Sequence, residues 1–255
     1  MKRIIINLVV FLSLFGVAEA KDAADWNRQA HEGNALFQIA QYDKAIQKYE
    51  EILTAGYVSA ELHYNLGNAY FRLKDYPQAI LNYERALRLS PKDAEIKMNL
   101  DIANARIEDK IEEIPGIFFI TWVRNLSNMF SLNVWGIIVV VFLIFTVGFT
   151  FIYLCSTSFY IKRTTFSLGI LCLLLFLSSF GLGNQRYSTM YRKTEAIVFR
   201  PLVSVKSSPQ ETSVEKFVIH QGTKVQIKDE LTGWIKIRLA DGNIGWIEKE
   251  KVEVI

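Results

Sequence analysis

Hydrophobic and polar positions follow three different rhythms along this chain. Residues 134–154 and 166–183 are apolar runs without a charged residue. A helix crossing a hydrocarbon core of about 30 Å needs about 20 mostly apolar residues. The first run reaches that length, and the second does so when Thr164, Thr165 and Asn184 are added. Only a helix satisfies its own backbone polar groups in lipid. Two transmembrane helices are therefore predicted, over 134–154 and 166–184, joined by a loop at 155–165. Trp122, Trp135, Tyr153, Tyr160, Tyr187 and Tyr191 lie near their ends, where interfacial aromatics gather. Two core helices of a soluble protein fit such long charge-free runs poorly.

The segments on either side have other periods. Residues 26–93 repeat every 34 positions: Gly33, Asn34 and Ala35 recur as Gly67, Asn68 and Ala69. Tyr42, Ala45, Ile46, Tyr49 and Glu50 recur as Tyr76, Ala79, Ile80, Tyr83 and Glu84. Small residues at Gly67, Ala79 and Ala86 allow close helix contact, and Pro91 stops the second unit. The pattern predicts helical pairs at 26–59 and 60–93, with a covering helix over 94–113, so that the exported helical domain spans 21–113. In residues 193–255, apolar and polar positions alternate at 224–228 and 234–239, as in half-buried strands. Asp241-Gly242 between alternating runs marks a hairpin. Between these modules and the first span, Pro115-Gly116 breaks the chain. Phe118, Phe119, Trp122, Leu126, Met129 and Phe130 then recur at helical spacing, so 114–133 is read as a linker and a helix lying in the membrane interface.

Charge sets the orientation. The chain has 26 acidic residues, and none lies between 114 and 192. Lys2 and Arg3, the apolar stretch 4–17 and Ala18-Glu19-Ala20 have the form of a secretory signal over 1–20. Residue 21 onward is then exported, and a two-span hairpin returns the chain to the side it left. The inner loop carries Lys162 and Arg163, in line with the positive-inside rule. Arg124, Arg186 and Arg192 flank the outer ends and oppose it, so the signal decides. The only cysteines, Cys155 and Cys172, lie at or within the spans, so the exported parts hold no disulfide. No segment is basic enough to suggest nucleic acid.

Catalytic chemistry finds no support in the sequence. The three histidines, His31, His63 and His220, show no metal spacing. No nucleophile elbow or phosphate loop is present. No enzyme activity and no cofactor are expected. Neither span carries an ionisable residue to mark a transport path.

The 34-residue unit resembles the tetratricopeptide repeat, most closely at Tyr64-Asn65-Leu66-Gly67-Asn68-Ala69-Tyr70. That resemblance implies an all-α stack with a concave face that binds an extended peptide. The residues it places there are Ala30, Asn34 and Phe37, then Tyr64, Asn68 and Phe71, then Met98 and Ile102. One subclass grips a C-terminal carboxylate, but Ala30, Glu95 and Asn99 stand where its cations would be. Asparagine amides can still bond a peptide backbone.

The last segment resembles the bacterial SH3-type (SH3b) domain, a small all-β barrel. The matching residues are Val205-Lys206-Ser207-Ser208-Pro209, Gly222-Thr223-Lys224-Val225, Gly233-Trp234-Ile235-Lys236-Ile237 and Asp241 through Ile247. Related domains bind wall peptides or short motifs, which implies Lys206, Ser208, Trp234 and Trp246 as ligand-binding candidates. Packing inside the barrel is the reading favoured for both tryptophans.

Over its length the order of parts is similar to the Bacteroides aerotolerance (BatE) family. Residues 111–135, with Pro115, Phe118-Phe119, Trp122 and Trp135, add to the likeness. The resemblance implies a bacterial inner-membrane protein with both soluble modules on the periplasmic side. Its partners would include membrane proteins with von Willebrand factor A-type domains, in an envelope complex linked to aerotolerance or stress resistance. The expected function is a non-enzymatic membrane-anchored scaffold. The alternative is a peptidoglycan-binding or sensing module that recruits a wall enzyme.

Overall fold

The computed structural model describes residues 26–112, 118–191 and 194–255. The expected signal segment, residues 1–20, and Pro115-Gly116 lie outside the described residues. The chain forms two compact units, Met1–Glu113 with Lys193–Ile255, and Ile114–Arg192.

The first unit begins with five helices: α1 over residues 26–38, α2 (Tyr42–Thr54), α3 (Ala60–Arg72), α4 (Tyr76–Leu89) and α5 (Ala94–Asn104). The 34-residue period reappears in their packing. A Cβ on Gly33 would stand 2.6 Å from the Tyr49 ring, and one on Gly67 would stand 2.7 Å from the Tyr83 ring. Each glycine thus gives a tyrosine its place between two helices. Ala40 (φ 59°) and Lys74 (φ 64°) take the same left-handed turn between the helices of each pair. The capping differs. Asp75 accepts a hydrogen bond from the Gln78 amide, whereas Gln41 at the matching position caps nothing with its side chain. Changing Gln41→Asp should stabilise α2 by about 1 kcal/mol. A thermal midpoint unchanged or lowered in the variant would contradict that.

The covering helix is shorter than the expected 94–113. It ends at Asn104, where the Lys110 ammonium donates to the carbonyls of Asn104, Ala105 and Ile107. The Asn104 and Ala105 carbonyls are orphan acceptors of the helix C-terminus, and a cation suits them. Residues 105–112 continue as a non-helical strap.

The C-terminal strands are β1 (Glu195–Val198), β2 (Leu202–Lys206), β3 (Glu215–His220), β4 (Lys224–Leu231), β5 (Trp234–Arg238), β6 (Ile244–Glu248) and β7 (Val252–Val254). They form one antiparallel seven-stranded sheet in the order β3-β2-β6-β5-β4-β1-β7. The end strands β3 and β7 do not pair, so the expected barrel is here a sheet that does not close. Register shifts between Val205 and Lys206 and between Ile227 and Asp229 mark bulges, where strands bend. One face is the core: Val203, Val205, Ile219, Val225, Ile235, Ile237 and Ile247 are all at most 1 % exposed.

Helices and sheet share a second core. In β1, Ala196 and Val198 join the sheet core, while Ile197 joins Ala79, Ile80, Leu81, Tyr83 and Ala86 of α4. Ile255 joins the helical cluster too. A strand buried on both faces reads as a continuous apolar run, as Ala196 to Phe199 does. The strap packs alongside: Ile107 touches the helical core and Ile111 the sheet core.

The second unit holds α6 (Phe118–Ser127), α7 (Leu132–Cys155) and α8 (Phe159–Tyr191). The helix α6 begins within the expected interfacial segment 114–133. The connection between α7 and α8 is residues 156–158, shorter than the expected loop 155–165, because α8 starts at Phe159. Both long helices are long and apolar enough to cross a membrane. They pack against each other: a Cβ on Gly183 would stand 3.4 Å from Trp135 Cβ, and one on Gly169 3.7 Å from Phe149 Cβ. Their other faces are bare, with Ile144 63 % and Phe151 66 % exposed. A soluble core helix would bury such side chains. Trp135 Nε1 donates to the Ser127 carbonyl at 2.9 Å and ties α6 to the start of α7.

Candidate functional site

The first helices of the repeat module, α1, α3 and α5, line a groove whose floor is built from asparagine. Asn34 Oδ1 accepts from the Tyr49 hydroxyl at 2.7 Å and from Asn65 Nδ2 at 3.1 Å. Asn68 Oδ1 accepts from the Tyr83 hydroxyl at 2.7 Å and from Asn99 Nδ2 at 3.2 Å. The same triad thus occurs twice, 34 residues apart. Asn34 is held at its oxygen, whereas the Asn68 side chain also bonds to Tyr64. Side-chain amides match the donor and acceptor groups of a peptide backbone.

Three adjoining hollows follow this line. One is lined by Trp26, Ala30, Asn34, Ile52, Leu62 and Asn65. The next has Asn34, Phe37, Gln38, Tyr49, Asn65 and Asn68. The third has Phe37, Asn68, Phe71, Arg72, Asn99 and Ile102. Phe37 and Phe71 give apolar walls, each set edge-on to a tyrosine: Tyr42 at 5.2 Å and Tyr76 at 5.6 Å. Arg72 lies 5.8 Å from the Tyr42 ring centre.

Of the residues assigned to this face from sequence, Ala30, Asn34, Phe37, Asn68, Phe71 and Ile102 line the hollows. Tyr64 does not. Its hydroxyl donates to Glu95 at 2.6 Å and accepts from Asn99 Nδ2 at 2.7 Å. Burial and the Glu95 carboxylate push the Tyr64 pKa up to about 12. Met98 stands outside the hollows, 57 % exposed. Asn65 and Asn99 complete the groove, and Gln38 and Arg72 do so without having been assigned to it. The recurrence of Asn65 at Asn99 was a visible signal, whereas Gln38 and Arg72 share a repeat position but not a residue type. Glu95 places negative charge where a carboxylate clamp needs a cation.

In the sheet module, Trp234 and Trp246 are not in the core. Both are half-buried on the outer face, because their neighbours Ile235 and Ile247 take the inner one. Lys206 on β2 and Lys236 on β5 flank Trp246 in register, and Lys236 Nζ lies 5.8 Å from its ring centre. Ser208 sits in the turn after β2, where its carbonyl accepts from the Ser213 hydroxyl. Trp234 borders a shallow hollow with Glu211, Glu248, Lys249 and Glu250.

His63 and His220 serve structure. His63 is buried, and its Nδ1 lies 3.0 Å from Asn82 Oδ1. Burial lowers its pKa and keeps it neutral. His220 belongs to the seam between strap and sheet. Asp109 accepts from the His220 amide at 2.7 Å and from the Thr223 hydroxyl at 2.5 Å, and its second oxygen lies 2.8 Å from His220 Nδ1. Glu108 lies 3.5 Å from His220 Nε2. Across the same seam, Arg85 reaches Glu253 and the Val254 carbonyl, both at 2.9 Å. Arg88 donates to the Ile255 carbonyl at 2.6 Å, and Lys224 pairs with Glu84 at 2.9 Å.

This seam should respond to pH. The bond to Asp109 raises the His220 pKa. Its contribution is complete below the ordinary histidine value of 6.5 and is lost as pH rises through the raised value. Burial would raise the Asp109 pKa, but the bonds from Thr223 and His220 outweigh it and lower the value. That contribution is complete above the ordinary 3.8 and is lost as pH falls through the lowered value. Amide exchange at His220 and Thr223, corrected for intrinsic rates, should therefore quicken from about pH 6 to pH 9. His220→Gln should remove this dependence, and a flat wild-type profile would contradict the assignment.

Among the described residues, no group of three or more histidine, cysteine, aspartate or glutamate side chains could hold a metal ion. Residues 60–93 match the family of the tetratricopeptide repeat. Compared with curated proteins, the chain has no match.

Proposed function

We propose that the chain is a non-enzymatic, membrane-anchored scaffold whose repeat groove binds an extended segment of a partner protein. The tetratricopeptide repeat at 60–93 supports a role in protein–protein interaction. The observation that carries the finer reading is the doubled asparagine triad. It holds asparagine amides in place along a groove with phenylalanine walls, and Glu95 disfavours a C-terminal carboxylate. The ligand is thus an internal, extended stretch with apolar side chains for the Phe37 and Phe71 hollows.

The anchor is the α7–α8 hairpin. The first unit is built from both ends of the chain, and its two parts share a core. Such a body forms only when residues 26–112 and 194–255 lie on one side of the membrane, so an even number of crossings lies between them. With an amino-terminal signal that side is the exported one. The BatE likeness adds an inner-membrane envelope complex, with von Willebrand factor A-type membrane proteins as partners and a link to aerotolerance.

Photo-crosslinking from position 37 or 71 in native membranes tests the groove. The account expects adducts to partner proteins that disappear in the Asn34→Ala/Asn68→Ala double variant. Adducts that persist in that variant, or none at all, would remove the reading. Wall binding has one observation in its favour, the outward placement of Trp234 and Trp246. Co-sedimentation of the protein with purified wall, lost on changing either tryptophan, would support it.

A further inference from the structure

We propose that the sheet module sets the shape of one half of the repeat groove, the half built by the second repeat, so that closure of the seam and occupancy of the groove are linked. The link to binding rests on the groove reading above, whereas the support that the sheet gives to α4 and α3 does not.

The two repeats present similar residues to the groove and different residues behind it. At about 100° per residue, Leu81, Glu84 and Arg88 stand on the side of α4 away from Ala79, Tyr83 and Ala86. The Tyr83 side meets α3, where a Cβ on Gly67 would stand 3.3 Å from the Ala79 carbonyl oxygen. The other side meets the sheet module. Glu84 holds Lys224, Arg85 holds Glu253, and Arg88 donates to the Ile255 carbonyl. A Cβ on Gly222, in the turn between β3 and β4, would stand 3.4 Å from Ile80 Cδ1. The positions 34 residues before Leu81, Glu84, Arg85 and Arg88 are Gln47, Glu50, Glu51 and Thr54 on α2. All four are exposed, whereas Leu81 is fully buried. The first repeat turns this side to water, and the second turns it to the sheet.

The packing divides in the same way. One cluster runs from Ile197 and Ile255 of the sheet module through Ile80 and Tyr83 to Phe71, a wall of the groove. Through its hydroxyl, Tyr83 also orients Asn68 on the groove floor. Phe37, the wall in the first repeat, packs on a separate cluster with Tyr49 and Ile52, which among the described residues includes none from the sheet. Tyr70 borders both clusters. A close-packed interior transmits strain instead of absorbing it. Loss of cover on the sheet side of α4 therefore loosens Tyr83 and Phe71 and leaves Tyr49 and Phe37 in place. The coupling is reciprocal: whatever seam closure adds to binding, a ligand in the groove adds to seam closure.

The test follows amide hydrogen exchange by mass spectrometry, on the full chain in phosphatidylcholine nanodiscs. Ile197→Ala and Ile255→Ala both change the sheet side, so a response in α3 comes from across the seam. Ile255 lies beyond β7, which keeps the strands intact in that variant. Exchange over residues 60–73 is expected to quicken about tenfold or more in both, because an isoleucine cut to alanine leaves a cavity. Exchange over residues 26–54 is expected to keep the parent rate. Unchanged exchange over 60–73, or equal quickening over 26–54, would overturn the proposal. Photo-crosslinking from position 71 in native membranes adds the binding arm, and its yield should fall several-fold in the same variants. Parent yield from variants whose α3 exchanges faster would overturn the link. Absence of adducts in the parent protein would sink the groove reading, and the link with it, while the exchange rates decide by themselves whether the sheet supports α3.

Discussion

Changing Ile197→Asp is expected to part the sheet module from the repeat module while each keeps its own secondary structure. Ile197 is fully buried and sits in one cluster with Ala79, Ile80, Tyr83 and Ala86. Its neighbours Ala196 and Val198 face the sheet core, so the change strikes the seam rather than the sheet. A carboxylate there has no cation inside the cluster, and an uncompensated buried charge costs about 3–5 kcal/mol. Ile197→Ala should act in the same direction through a cavity, by about 2–5 kcal/mol. The seam has polar bonds, but the ion pairs among them are partly exposed, and such pairs contribute little. The apolar cluster therefore decides. Limited trypsin digestion reads the outcome: cleavage at Arg85, Arg88 or Lys224 should be slow in the parent protein and fast in the aspartate variant. Equal digestion rates would show that Ile197 does not hold the seam.

The second large effect is expected at Gly67→Ala. The new Cβ would stand 2.7 Å from two ring carbons of Tyr83 and 3.3 Å from the Ala79 carbonyl. Tyr83 is 1 % exposed, and its hydroxyl is tied to Asn68. Overpacking of this kind costs about 1–3 kcal/mol. The loss is also functional, because the Tyr83 hydroxyl orients Asn68. A shifted ring releases the amide that faces the groove, so crosslinking from position 71 should fall along with the thermal midpoint. Gly33→Ala should repeat the effect at Tyr49 and Asn34, since the contact there is 2.6 Å. Unchanged crosslinking with a lowered midpoint would separate the groove from the tyrosine that supports it.

The helical period was legible because each repeated residue has a repeated contact. Gly33 and Gly67 accept tyrosine rings, and Asn34 and Asn68 accept tyrosine hydroxyls. Tyr64, assigned to the same face, turns its hydroxyl to Glu95 and Asn99 on α5. The strand alternation was legible too, yet it did not settle which face the tryptophans take. Placing them inside assumed that size decides burial, whereas their inward neighbours are isoleucines. The seam was not read at all. Its partners are distant in sequence, as with Arg88 and Ile255 or Asp109 and His220. The charged stretch 105–112 looks like a helix end, and only the fold turns Ile107, Asp109 and Ile111 toward the sheet. The run Ala196 to Phe199 was the one local sign that a strand needed cover on both faces.

The proposal that residues 26–112 and 194–255 form one exported body, returned to one side by a membrane hairpin, is tested by a single crosslink. Cysteines are placed at Arg85→Cys and Glu253→Cys, whose native side chains meet at 2.9 Å, with Cys155 and Cys172 changed to serine. A membrane-impermeant bis-maleimide is then added to intact spheroplasts. The predicted result is an intramolecular crosslink formed without permeabilisation and abolished by Ile197→Asp. A crosslink that requires permeabilisation, or none under either condition, would contradict the account.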